Sequence, residues 1–207
     1  MSGSILILGI GNLLWADEGF GVRCVELLNS RYRFPEPVQL MDGGTQGLYL
    51  VPYVQQAEIL IVFDAVDYGL APGSLKIVRD DEVPKFMGAK RMSLHQTGFQ
   101  DVLALAAFSG SYPKELLLIG VQPEELDDFG GSLREPVRAQ LEPALQIALD
   151  FLAEQGVVPE QRAADDPATE LAPEPLALTP YEHGRPDEQC AYRHGDIRFI
   201  PQPSEQD

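Results

Sequence analysis

Up to about residue 156 the apolar positions alternate between short continuous runs and spaced stripes. Ile5–Ile10 is an aliphatic run closed by Gly9 and Gly11, the pattern of a strand covered on both faces. Residues 17–31 then place Phe20, Val22, Cys24, Val25, Leu27 and Leu28 at helical spacing, with Asp17 or Glu18 suited to the positive end of that helix. Pro35 and Pro37 break the chain. Val38–Met41 predicts a second strand, and residues 46–56 a short helix that Pro52 would kink. Glu58–Phe63 is the strongest strand signal, followed by Ser74–Val78 and Leu116–Val121. Residues 97–109 read as a helix. So do residues 132–155, where Val137, Leu141, Leu145, Ala148 and Leu152 recur at three- and four-residue steps and Pro143 marks a bend. The polar stretch 80–95 reads as irregular.

Strands alternating with helices predict an α/β fold in three layers, a mostly parallel five-stranded twisted sheet between helices. The link through Ala71-Pro72-Gly73 is too short for a parallel crossover, so the fourth strand is expected to be antiparallel and near an edge. One domain spans 1–156. From 157 to 207 the pattern disappears: this stretch holds 8 of the 17 prolines and 11 acidic against 4 basic residues. It reads as an acidic, proline-rich C-terminal extension, poorly structured and largely disordered, with some β character returning at Glu188–Pro201.

The formal net charge of −17 argues against nucleic acid and anionic membranes as partners. No apolar run approaches the roughly 20 residues of a membrane span. The first residues lack the basic start of a signal peptide, so a cytoplasmic protein is expected. Cys24 and Cys190 are far apart and are expected to be free thiols, Cys24 as a small buried hydrophobe.

In a doubly wound sheet ligands bind beyond the carboxyl ends of the parallel strands. Four acids fall there: Asp17 and Glu18 after the first strand, Asp42 after the second and Asp64 after the third. His95 is the one histidine within residues 1–156. Carboxylates and an imidazole on one rim suit a divalent metal. Plain structural roles compete: a helix cap for Asp17 or Glu18, a turn for Asp42 before two glycines, a packed or surface position for His95. Asp64 is harder to dismiss, because it ends a very apolar strand, where an unpaired carboxylate is costly. Nucleotide binding at the first turn is disfavoured. The third glycine of a dinucleotide fingerprint is replaced by Leu14, and Asp17 and Glu18 would oppose a pyrophosphate. There is no P-loop, GxSxG elbow or HExxH, and His183, Cys190 and His194 match no strong zinc spacing.

Four ordered motifs, GIGNLLWADEGFGVR at 9–23, DGGTQG at 42–47, FDAVDYGLAPG at 63–73 and SLHQTG at 93–98, together with LIGVQPEEL, closely resemble the maturation proteases of nickel-iron hydrogenases. The resemblance covers about residues 4–155 and leaves out the extension. It implies a twisted sheet between helices and an endopeptidase that removes the C-terminal extension of the hydrogenase large-subunit precursor once nickel is installed. The family's nickel-binding positions fall on Glu18, Asp64 and His95, and its DGGT aspartate on Asp42, in a supporting or catalytic role. The implied metal is nickel carried by the substrate. Implied partners are the large-subunit precursor and other maturation factors. For the cleavage itself, a metal-activated water competes with an acid pair, Asp42 with Asp17 or Asp64. A non-enzymatic nickel- or precursor-binding chaperone and a nucleotide-binding α/β protein are the alternative readings.

Overall fold

The first strand, β1 (Ile5–Ile10), is buried at every position, as its unbroken aliphatic run requires. The structure, a computed structural model, describes residues 3–84, 94–163, 165–171 and 173–184, with the backbone alone at 94–97. A 3-10 turn at Ala16–Gly19 leads into α1 (Phe20–Arg31). The two-residue strand β2 (Tyr32–Arg33) and β3 (Val38–Gly44) follow. A second 3-10 turn, Gly47–Leu50, runs into α2 (Val51–Gln56), then β4 (Ile59–Ala65) and β5 (Leu75–Arg79). The remaining elements are α3 (Leu94–Phe108), β6 (Glu115–Val121), α4 (Glu135–Arg138), α5 (Leu141–Glu154), β7 (Glu160–Gln161) and α6 (Leu178–Gly184).

The main sheet has five strands in the order β3-β1-β4-β6-β5. β5 alone runs antiparallel, at the edge, as expected. Its partner is β6, however, so the chain from β4 crosses the end of β6 to reach it. Val66 N–H donates to Val121 O (2.9 Å) and Gly73 N–H to Gln122 O (2.8 Å), which fixes that crossing.

Strand parity divides the core. Ile5, Ile7, Ile61, Phe63, Leu117 and Ile119 face α1, α4 and α5. Leu6, Leu8, Leu60, Val62, Leu116 and Leu118 face α2 and α3. On α1, Phe20, Cys24, Val25 and Leu28 are wholly buried, each aliphatic or aromatic one contributing about 1.5–3 kcal/mol relative to exposure.

Three of the element boundaries that differ from expectation have a clear physical cause, and proline explains two. Pro52 does not kink a helix; it occupies the first turn of α2, where no intrahelical N–H is needed. The stretch 132–155 is two helices. Pro143 has no N–H to offer the Ala139 carbonyl, so the ladder breaks at Ala139-Gln140 and restarts with Pro143 in the first turn of α5. The third is α3, which begins at Leu94, so His95 lies on its first turn and not in an irregular segment. Polar His95, Gln96 and Thr97 hide that turn from apolar periodicity.

The described part of the C-terminal extension holds β7, a 3-10 turn at Glu174–Leu176 and α6, and it is not detached. β7 pairs antiparallel with β2. Arg162 Nε donates to Asn29 O (3.0 Å) and Tyr32 O (3.1 Å), and Asn29 Nδ2 to Thr169 O (2.7 Å). The extension therefore straps α1. Residues 185–207, including the stretch 188–201, Cys190 and His194, lie outside the described residues. Among the described residues no helix is long and apolar enough to cross a membrane.

Candidate active site

The site forms where the parallel strands end. Gly11 takes φ 129°, a region that favours glycine, and a Cβ there would stand 1.8 Å from Glu18 O. A Cβ on Gly21 would stand 2.2 Å from Phe63 O and 2.3 Å from Ile10 O. These two glycines let the turn Ala16–Gly19 and the start of α1 sit directly on the ends of β1 and β4. The space that a phosphate would need is filled by the chain's own backbone. Glu18 is thereby brought to the rim where Phe63 passes into Asp64. On the far side, a Cβ on Gly98 would be 3.4 Å from Gly47 Cα, so the first turn of α3 packs on the turn that follows β3. That places the His95 backbone at the same end of the sheet, on the face to which Asp64 belongs.

Glu18 is half-buried. Desolvation first, and then the negative charge of Asp127, push its carboxyl up to about 7. Its Oε2 and the Oδ2 of Asp64 are both shielded from solvent. Two inward carboxylates are suited to a hard or borderline cation. Among the described residues no three His, Cys, Asp or Glu side chains form a metal-holding group; the side chain of His95 lies outside them.

Asp17 does something else. It is fully buried, and its carboxylate accepts backbone N–H groups of Glu124 (2.8 Å), Glu125 (2.9 Å) and Arg134 (2.6 Å). It makes no side-chain cap on α1 and pins the 124–134 loop against the first turn. Gly130 N–H to Leu14 O (2.7 Å) and a Trp15–Phe129 edge contact at 5.3 Å join the same two segments. Ala16 pays for this tight approach with a left-handed φ of 37°.

Asp42 ends on the α1 side. It is in register with Gly9, whose Cβ direction points at Gly21 and Val22 of α1. Burial raises its carboxyl above the usual range, against the lowering effect of the Gly44 N–H and of Arg23. Its Oδ1 is buried and makes no hydrogen bond among the described residues. Arg23 is itself buried, donates to Glu26 (2.7 Å) and Leu176 O (2.6 Å), and lies over the Tyr181 ring at 5.6 Å. A charged residue inside the apolar stripe of α1 was the visible signal for it. Cys24 is fully buried and its thiol is pushed up by burial, which removes it as a nucleophile.

Sequence reasoning also passed over Tyr68 and Gln122, although both stand inside quoted motifs. Burial first, and then the Asp64 charge, push the Tyr68 phenol up. His183 is exposed on α6, and the other two members of the tail trio, Cys190 and His194, are outside the described residues.

A sheet in this strand order with acids on its carboxyl rim is the architecture of a known class of peptidase. The structure of the hydrogenase maturating endopeptidase HybD from E. coli superposes with a TM-score of 0.73 at 43% identity, covering 77% of this chain and 98% of that one. The [NiFe] hydrogenase maturation protease HybD from Thermococcus kodakarensis superposes at 0.59 with 26% identity, covering 72% of this chain and 98% of that one. In sequence, the hydrogenase expression/formation protein HoxM of Azotobacter vinelandii is 82% identical over 96% of this chain and 95% of its own length. The hydrogenase 2 maturation protease of Escherichia coli K12 is 46% identical over 74% of this chain and 93% of its own. The hydrogenase maturation protease family model matches residues 22–151. This chain belongs to the hydrogenase maturation protease family, and it is a peptidase. The family model ends before the extension, whereas the Azotobacter vinelandii relative matches over 96% of this chain and so shares most of the extension.

Proposed function

We propose that this peptidase removes the C-terminal extension of a nickel-loaded hydrogenase large-subunit precursor and recognises its substrate by the nickel. The observation that carries the reading is the rim itself. The turn bearing Glu18 contacts β4, whose last-but-one residue is Asp64, and α3, which bears His95, packs on the turn after β3 at the same end of the sheet. Two carboxylates and an imidazole leave coordination positions open for ligands from the precursor. Glu18 and Asp64 would hold the substrate's nickel and so set the adjoining peptide bond against the protein. Hydrolysis then adds water across that bond, hydroxyl to the carbonyl carbon and a proton to the leaving amine. An open site of this kind makes cleavage conditional on a loaded substrate. Nickel-loaded and nickel-free precursor, each incubated with the protein and followed by mass, test this: the loaded form loses its extension and the empty form does not. Equal processing of both would refute nickel recognition.

A further inference from the structure

Asp64 is the last-but-one residue of β4 and pairs across the sheet with Gly120 of β6. Both point to the α3 face, because their neighbours Phe63, Ile119 and Val121 belong to the opposite core. Gly120 is bare for a reason. A Cβ there would stand 2.3 Å from the Tyr68 hydroxyl and 3.0 Å from its ring. The hydroxyl thus occupies the place beside Asp64 that a side chain at 120 would fill, and the Asp64 charge acts on it. Tyr68 is 5% exposed.

The loop that carries Tyr68 is built around one carboxamide. Gln122 Oε1 accepts the N–H of Tyr68 (2.7 Å) and of Leu70 (3.1 Å). Gln122 Nε2 donates to Asp67 Oδ1 (3.0 Å), which also accepts Gly69 N–H (2.9 Å). Gln122 N–H donates to Ser74 O (2.9 Å). Gln122 is itself buried. A loop held this tightly by a buried amide delivers its side chain in one place, as groups that support a ligand must be.

We infer that Tyr68, fixed by Gln122, is a positioning residue for Asp64: its hydroxyl steers the carboxylate so that one defined oxygen faces the nickel. The inference rests on Asp64 being a nickel ligand. Tyrosine suits the task because its donor sits at the end of a rigid ring, with no charge to compete for the metal.

The test is Ni2+ titration of the purified full chain by calorimetry at one neutral pH, with thermal melting in parallel. Tyr68→Phe keeps the ring and removes the hydroxyl. Its Ni2+ affinity is expected to fall on the order of tenfold while the melting temperature holds, which a packing role would not produce. Gly120→Ala drives a methyl into the hydroxyl and weakens binding as well. Wild-type affinity in Tyr68→Phe overturns the inference and leaves the nickel site standing. No Ni2+ binding by the wild type overturns the inference, which needs a site that holds the metal, and leaves the processing assay to decide the nickel reading; undiminished binding by Asp64→Asn overturns the inference together with the place of Asp64 in that reading.

Discussion

Asp42 and Asp64 leave the sheet on opposite faces. Asp42 is in register with Gly9 and Gly9 with Phe63, and that row looks toward α1. Asp64 is the next residue along β4 and looks the other way, toward Tyr68 and the α3 layer. Two carboxylates separated by the thickness of a sheet do not share a proton as an acid–base pair does. Asp17 is no better a partner, since three backbone N–H groups already occupy its carboxylate.

The two acids should therefore separate by experiment. Asp64→Asn is expected to weaken Ni2+ binding by at least about tenfold, since even outer partners of a ligand cost that much. Asp42→Asn, on the far face beside Arg23, should leave Ni2+ affinity within about twofold and act, if at all, on precursor processing. Calorimetric titration of both variants reads the difference, and equal losses of affinity would show that Asp42 reaches the metal.

Asp17→Ala should behave as a folding variant. It orphans three part-buried N–H groups and detaches the 124–134 loop, a cost on the order of 3–4 kcal/mol. Urea unfolding measures it. Processing should recover toward the wild-type rate when compared per folded molecule at low temperature. A variant that stays folded and yet cannot process would return Asp17 to the list of catalytic groups.

Most of the fold was readable because continuous aliphatic runs such as Ile5–Ile10 and Glu58–Phe63 mark doubly covered strands. The antiparallel edge strand was readable from a short connection, but its partner was not, because nothing local says that β6 will come between. The start of α3 was hidden by polar residues, and the break before α5 was set by a missing N–H at Pro143. The rim acids were legible as polar residues at strand ends. The face each takes follows from parity along β3 and β4. Tyr68 and Gln122 stayed invisible for a different reason: their relationship joins positions 54 apart through a side-chain amide, which no periodicity reports.

The strap is expected to stabilise the domain without taking part in cleavage. A chain ending at Gly156 loses Leu176 O and Tyr181 from the buried Arg23, and β7 from β2. A hydrogen bond to a charged group contributes about 1.5–3 kcal/mol, so the truncated chain should unfold at lower urea by at least that much. Glu18, Asp64 and His95 all lie within 1–156, so processing per folded molecule should persist. Loss of processing by a folded truncated chain would assign the extension a part in holding the precursor.

The strap should also loosen in acid, through Glu182. Burial raises its carboxyl, but hydrogen bonds from Arg138 and Ser132 and the charges of Arg138 and Arg23 outweigh burial and hold it below its ordinary value of 4.5. The folded protein therefore binds the proton less readily than the unfolded chain. The stabilisation is full above the ordinary carboxylate range and fades as pH falls through the lowered folded value. Hydrogen exchange of residues 173–184 should be slow at neutral pH and accelerate, relative to the sheet, as the medium is acidified below that range. Glu182→Gln removes the titrating group, so it should exchange faster than wild type at neutral pH and converge with it in acid. A constant difference between the two at every pH would show that the contact depends on shape and not on the Glu182 charge.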